Sequence, residues 1–275
     1  MKRRFPAIVL FCLAVMGMAG VSQAQPALTI HQIQSETSDG DASSYVDQTR
    51  DVIGGVVTHK WDGFNDRVYL QVPGETIWGG IPVKDVSGDL LSQVAIGDWI
   101  NFGNIEITES RGTTFLQWDS SLAEPPTVAI ESSGNDVPDP LPLTAAHLKT
   151  NPTSHAVSEQ YESMVVTLTG PTIGELGLGK ASDNYELWQG TDIAWGADYM
   201  NVDKVGDYHP YIPYFQGQEL DSITGVVEQY LRDGDPGWDY YQLLTRSGAD
   251  IVPEPGTVSL MLAGLVLVVR RRRRS

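Results

Sequence analysis

Val68-Tyr69-Leu70-Gln71-Val72 alternates its faces: Val68, Leu70 and Val72 on one side, Tyr69 and Gln71 on the other. A period of two is the pattern of a half-buried strand. Similar short runs lie on either side. Val52 to Thr58 comes before it, and Ile81-Pro82-Val83, Trp99 to Phe102, Ile105 to Ile107 and Thr113 to Trp118 follow, punctuated by Gly, Pro, Asn and Asp. No stretch of the body sustains a 3.6-residue period. The runs predict an all-β chain whose first half closes as a small five-stranded barrel.

The order recurs further on. Met164 to Gly170 opens a second set and Tyr185 to Gln189 follows it. Gly97-Asp98-Trp99-Ile100 is echoed by Gly217-Gln218-Glu219-Leu220, Gly103-Asn104-Ile105-Glu106 by Gly225-Val226-Val227-Glu228, and Phe115 to Trp118 by Tyr241 to Leu244. Two tandem barrels are the first expectation, and one larger β-sandwich is the alternative. Between the sets, Glu124-Pro125-Pro126 and Ser132 to Pro142 form a Pro-rich connector that cannot be a central strand. Leu143 to Leu148 is expected as a short helix with Thr144 as its N-cap. Gly174 to Lys180 reads as a flexible hairpin loop.

The two ends carry addresses rather than fold. Met1-Lys2-Arg3-Arg4, an apolar run from Phe5 to Ala19 and Val21-Ser22-Gln23-Ala24 make a secretion signal, with cleavage expected after Ala24. Its partners would be the Sec translocon and signal peptidase. The single cysteine, Cys12, lies inside that signal, so the mature chain is expected to have no disulfide. At the other end stand Pro253-Glu254-Pro255, an apolar run from Thr257 to Val269, and Arg270, Arg271, Arg272, Arg273 and Arg274. The arginines would stay on the cytoplasmic side, leaving the body outside. These three parts, in this order, resemble the PEP-CTERM sorting signal of Gram-negative bacteria. That resemblance implies transient membrane insertion of the tail, an exosortase-type processing enzyme as a partner, and delivery to the cell surface or extracellular matrix.

The body has a resemblance of its own. Ile30 to Gln34, Gly55-Val56-Val57-Thr58, Tyr69-Leu70-Gln71 with Pro73-Gly74, Trp78 to Val83, Val94 to Asp98 and the Ser-Gly-Asn-Asp-Val-Pro connector look like the OB-fold accessory region of secreted bacterial nucleases. The resemblance, good over Leu28 to Leu143 and poor over Tyr161 to Asp250, implies a five-stranded Greek-key barrel that binds ligands on strands 2 and 3 and between two loops. The expected divisions are a signal peptide at 1–24, barrel 1 at 28–122, the connector at 123–160, barrel 2 at 161–250 and the sorting signal at 252–275. The second β set runs into the sorting signal, so no nuclease domain is expected.

The net charge is −17, and eight of the 18 Lys and Arg residues lie at the extreme ends, which leaves the body at about −25. Such a body repels polyanions and lacks the clustered cations of counterion-release binding. No H-x-x-x-H pair and no G-x-S-x-G elbow is present. Carboxylate pairs such as Asp62 and Asp66 are too common in this chain to single out. Asp233, Asp235 and Asp239 fall within seven residues at a glycine-bent turn that could place oxygens around Ca²⁺, although an EF-hand loop would need a Glu where Leu244 stands. No other cofactor is expected.

Aromatic residues form the remaining constellation. Trp61, Phe64, Tyr69, Gln71 and Trp78 fall on the first loop, strand 2 and the approach to strand 3; Trp188, Trp238 and Tyr240 hold similar places in the second set. Flat rings stack on bases and on the apolar faces of sugars. The expectation is a non-catalytic surface protein that binds an extracellular polymer such as exopolysaccharide. Nucleic-acid binding is the alternative, and a hydrolase with unrecognised carboxylates is the third reading.

Overall fold

The computed structural model describes residues 25–38, 42–63, 66–148, 155–178, 184–203, 214–232 and 238–255. A short strand β1 (Leu28–Thr29) leads into helix α1 (Ile30–Ser35), and β2 (Thr37–Ser38) pairs with β3 (Ala42–Ser43). Barrel 1 is built from β4 (Gln48–Trp61), β5 (Arg67–Gln71), β6 (Gly80–Asp85), β7 (Trp99–Ser110) and β8 (Thr113–Trp118). Its strand order is β4-β5-β6-β8-β7, and β4 also pairs with β7, which closes the barrel. β6 runs parallel to β8, and the other pairs are antiparallel. That order and closure make an OB-type five-stranded Greek-key barrel. β4 is long enough to serve two neighbours: Gln48 to Val56 face β7, and Val56 to Trp61 face β5.

The connector contributes β9 (Thr127–Ser132), which lies on the edge beside β7, and β10 (Leu141–Leu143), which runs parallel to β11. The Pro-rich segment therefore also supplies sheet edges. The short helix expected over Leu143 to Leu148 follows as a single 3₁₀ turn at Ala145–Leu148.

Barrel 2 repeats the design. Its strands are β11 (Val165–Thr169), β12 (Thr172–Leu178), β13 (Asn184–Gln189), β14 (Asp192–Ala197), β15 (Leu220–Arg232) and β16 (Trp238–Leu244), with β17 (Ile251–Pro253) added beside β15. β11 and β12 are one strand broken at Gly170-Pro171: β11 faces β15 and β12 faces β13, the same division of labour as in β4. β14 runs parallel to β16, as β6 does to β8. The stretch expected as a loop at Gly174 to Lys180 is strand as far as Leu178: Ile173 and Leu176, three residues apart across a bulge, both pack on the core of barrel 2.

The glycine echo has a structural basis. The Gly97 N–H donates to the Val57 carbonyl (3.0 Å), and the Val57 N–H donates to the Asp98 carbonyl (2.8 Å). Gly217, Ile173 and Gln218 repeat this, both bonds at 2.8 Å. Both glycines take a left-handed φ, +88° and +89°. Counting on from this pair puts Ile223, not Gly225, at the place of Gly103, so the second glycine echo is not an equivalence. The third is shifted by one residue: Leu116 pairs with Ile107 as Leu243 does with Val227, so Leu243, not Gln242, takes the place of Leu116.

Each barrel has its own core. Val57, Val68, Leu70, Ile81, Val83, Ile100, Ile105, Ile107 and Leu116 fill the first, with Ile30 and Ile33 of α1 packed into it. The helix is started by a capping box, in which the Thr29 Oγ accepts from the Gln32 N–H at 3.2 Å. Val166, Leu168, Ile173, Leu187, Ile223, Val227, Tyr241 and Leu243 fill the second.

The two equivalent glycines separate backbone strain from crowding. A Cβ at Gly217 meets nothing within 4 Å, whereas at Gly97 it lies 2.8 Å from the Asn135 carbonyl. Gly217→Ala is therefore expected to cost about 1 kcal/mol through its positive φ alone, and Gly97→Ala clearly more. Urea denaturation of the two variants measures the difference, and equal losses would contradict it.

Candidate functional site

In barrel 1, strands 2 and 3 are β5 and β6. Their inward residues Val68, Leu70, Ile81 and Val83 belong to the core, so Arg67, Tyr69, Gln71 and Gly80 point outward. This face does not meet solvent. Tyr69 is 0% and Gln71 2% exposed, because barrel 2 lies on them. Tyr69 packs with Val165, Ala197, Met200, Val226 and Leu244 of barrel 2. The Val165 N–H donates to the Gln71 Oε1 at 2.9 Å. Gly80 has no room for a Cβ, with the Glu162 carbonyl 2.6 Å from where one would stand.

The seam is polar at its centre. The Arg67 Nη1 donates to the Glu228 Oε1 at 2.6 Å, both side chains being largely buried, and the Tyr199 hydroxyl donates to the other Glu228 oxygen. The Arg67 guanidinium also lies 5.1 Å from the Phe115 ring centre and 5.7 Å from that of Trp61. Trp61 meets Tyr199 edge to face at 5.4 Å. Glu162, 1% exposed, accepts long bonds from the Thr114 N–H (3.4 Å) and the Gln34 amide (3.5 Å), and Tyr241 donates to the neighbouring carboxyl of Glu159. Burial first, and the nearby Glu159 second, hold the Glu162 carboxyl well above the usual carboxylate range. His59, at the same seam, is driven down to about 4 by burial and then by the Arg246 charge.

In barrel 2 the equivalent strands are β13 and β14, and their outer residues are Glu186, Trp188, Ile193 and Trp195. Trp188 faces Ile193 and Glu186 faces Trp195 across the pair. The Trp188 Nε1 donates to the Glu186 Oε2 at 2.8 Å, and its ring lies over Gly174, where a side chain could not fit. The row continues across the sheet. The Trp195 and Tyr240 ring centres are 4.3 Å apart, and Tyr240 stacks on Tyr230 at 5.5 Å. The Arg111 guanidinium closes the row 5.2 Å above Tyr230 and donates to its hydroxyl at 2.6 Å. Below the rings, Tyr240 donates to Asn184, and Asn184 donates to Gln242 at 2.7 Å.

Arg111 reaches the row from barrel 1. It sits with Gly112 in the two-residue turn between β7 and β8, both at positive φ (+60° and +86°). That conformation turns a tight hairpin. The hairpin is pinned to β15, since the Leu231 N–H donates to the Arg111 carbonyl at 2.7 Å.

The structure thus divides the residues expected at a ligand face. Tyr69, Gln71 and Trp61 belong to the seam. Trp78 is half-buried beside it, and its N–H donates to the Gln160 carbonyl at 2.7 Å. Trp188 and Tyr240 lie in the aromatic row, and Trp238 lies on β16 opposite Arg232. Trp195, Tyr230 and Arg111 complete the row and escape a reading of motifs. The alternations Ile193/Trp195 and Glu228/Tyr230 would have pointed to the first two; nothing local marks Arg111. Phe64, Asp233, Asp235, Ala24 and Arg270 to Arg274 lie outside the described residues. Asp239 accepts from the Gln229 amide at 3.2 Å. Among the described residues no three His, Cys, Asp or Glu side chains group as metal ligands, and no helix is long and apolar enough to cross a membrane.

Residues 252–274 match the PEP-CTERM protein-sorting motif, which marks the chain for export and membrane-associated sorting in a Gram-negative cell. No curated protein matches the chain. Among solved structures it is similar to the Ifi202 HINa domain in complex with 20-bp double-stranded DNA, at 14% identity over 73% of this chain and 92% of that one, with a TM-score of 0.35. It is similar to a murine DNA-binding protein bound with double-stranded DNA at 13% identity, over 75% and 99%, with a TM-score of 0.33. Fission yeast Pot1 with single-stranded DNA is 11% identical over 71% and 78%, with a TM-score of 0.25. The fold assignment rests on strand order and register, and these likenesses add nothing to it.

Removing one partner of the buried Arg67–Glu228 pair strands the other charge, so Arg67→Ala is expected to cost about 3–5 kcal/mol in urea denaturation. Replacing both partners by apolar residues of similar volume should cost far less. The seam also titrates from both sides. The depressed His59 contributes stability that is present above its ordinary 6.5 and is lost as pH falls toward about 4. The raised Glu162 contributes stability that is present below the ordinary carboxylate range and is lost as pH rises through its elevated value. Between the ordinary values of 4.5 and 6.5 the two slopes oppose each other, so thermal melting should peak in that mildly acidic window, and Glu162→Gln should remove the loss above it while leaving the acid limb in place.

Proposed function

We propose that the protein is an exported, non-catalytic binding module that holds a neutral, hydroxyl-rich polymer, most simply an exopolysaccharide chain, along the aromatic row of barrel 2. One observation carries this reading: the outer face of strands 2 and 3 is buried in barrel 1 but carries Trp188, Ile193 and Trp195 in barrel 2. OB barrels take ligands on that face. Flat rings flanked by amide and carboxylate groups suit the apolar faces and hydroxyl edges of sugars. A body net charge of about −25 works against a polyanion, and Arg111 is the one cation in the row.

Several features support a binding role over catalysis. Two of the chain's carboxyl groups, Glu159 and Glu162, are buried at 3% and 1% exposure, where a polymer on the surface would not meet them. The matched sorting motif supports delivery to the cell surface or the extracellular matrix after processing.

The test is binding of the purified protein to matrix polysaccharide and to a glycan array. Trp188→Ala and Trp195→Ala are each expected to weaken binding about tenfold or more, the size of loss from truncating a central aromatic contact. Trp78→Ala, in barrel 1, should leave it unchanged. Absence of glycan binding together with a salt-dependent gel shift of single-stranded DNA would replace this reading with nucleic-acid binding.

A further inference from the structure

The last strand of the body is also the first part of the sorting motif. Ile251 lies opposite Ile223, Val252 opposite Ser222 and Pro253 opposite Leu220. Ile251 is 5% exposed and belongs to the core of barrel 2. The Glu254 N–H adds one more backbone bond, to the Glu219 carbonyl at 3.4 Å. The strand has little slack at its start. Asp250 pairs with Arg246 at 2.8 Å and accepts from the Arg246 N–H at 2.7 Å, which fixes the turn leading into β17.

Pro253 suits this position. Among the described residues β17 pairs with β15 alone, so it is an edge strand. The Leu220 N–H, opposite Pro253, points the other way and donates to the Pro171 carbonyl at 3.0 Å. A proline here removes no bond from the ladder and leaves the outer edge without a donor for another strand.

We infer that the processing cut falls C-terminal to Glu254, and that Ile251 to Glu254 remain in the mature protein as the closing strand of barrel 2. A peptidase holds its substrate extended for several residues on both sides of the broken bond. Presenting a bond before Pro253 would pull Ile251 from the core, at a cost of about 2–4 kcal/mol, and break the β15–β17 ladder at about 1 kcal/mol per bond. The product would lack the strand that covers Leu220 and Ile223. A cut after Glu254 needs only the outer end of the strand lifted, from the exposed Val252 to Glu254, and leaves Ile251 seated in the core. The reaction is hydrolysis of one peptide bond: water supplies hydroxyl to the retained carbonyl carbon and hydrogen to the nitrogen of the departing tail. This inference does not depend on what the aromatic row binds.

The experiment is expression of the full-length chain in a Gram-negative host that demonstrably processes another protein bearing the same motif. The mature C-terminal peptide is then sequenced by tandem mass spectrometry. The expected result is a C-terminus at Glu254 or within the few residues after it, with complete loss of Arg270 to Arg274. A C-terminus at Pro253 or earlier overturns the inference, and so does a chain that keeps Ser275.

Discussion

The contact between Arg67 and Glu228 organises the molecule. It joins strand 2 of one barrel to strand 4 of the other, and both charges are withdrawn from water. A buried pair earns little by its own attraction, because desolvation offsets most of it. What it confers is register. Arg67 must reach Glu228, Tyr69 and the rings of Trp61 and Phe115 together, which permits one orientation of the barrels. The apolar cluster of Tyr69, Val165, Ala197, Met200, Val226 and Leu244 then supplies the adhesion.

That orientation gives twin barrels unequal tasks. A face that carries ligands in many small barrels serves in the first as an internal joint. The second barrel keeps the corresponding face outward, and the β7–β8 hairpin of the first extends Arg111 to its rim. Two barrels of like strand order thus present the same face differently, one inward to the seam and one outward.

Much of the fold is legible in the residues. Val68 to Val72 read as a strand with Val68 and Leu70 inward, and so they are. Gly97 and Gly217 marked the repeat because each supplies a left-handed turn that few other residues tolerate. The division of the opening strand at Gly170-Pro171 hid β12, since Gly174 and Gly177 look like loop residues until the Trp188 ring is laid on the first of them. The candidate site was half legible. Aromatic residues could be found by eye, but whether an outward ring faces water or a second barrel is decided by contacts about 130 to 160 positions apart, such as Tyr69 with Met200 and Arg67 with Glu228. No local pattern encodes such distances along the chain.

β15 joins the sorting-motif strand to the aromatic row. Its 13 residues begin beside Pro253 and finish beyond Tyr230, a rise of about 40 Å for extended chain. The strand that leads into the sorting motif and the stacked rings therefore lie at the two ends of one β-strand. A pull on the chain beyond Glu254 is taken up at the foot of β15, a strand's length away from Tyr230 and Tyr240.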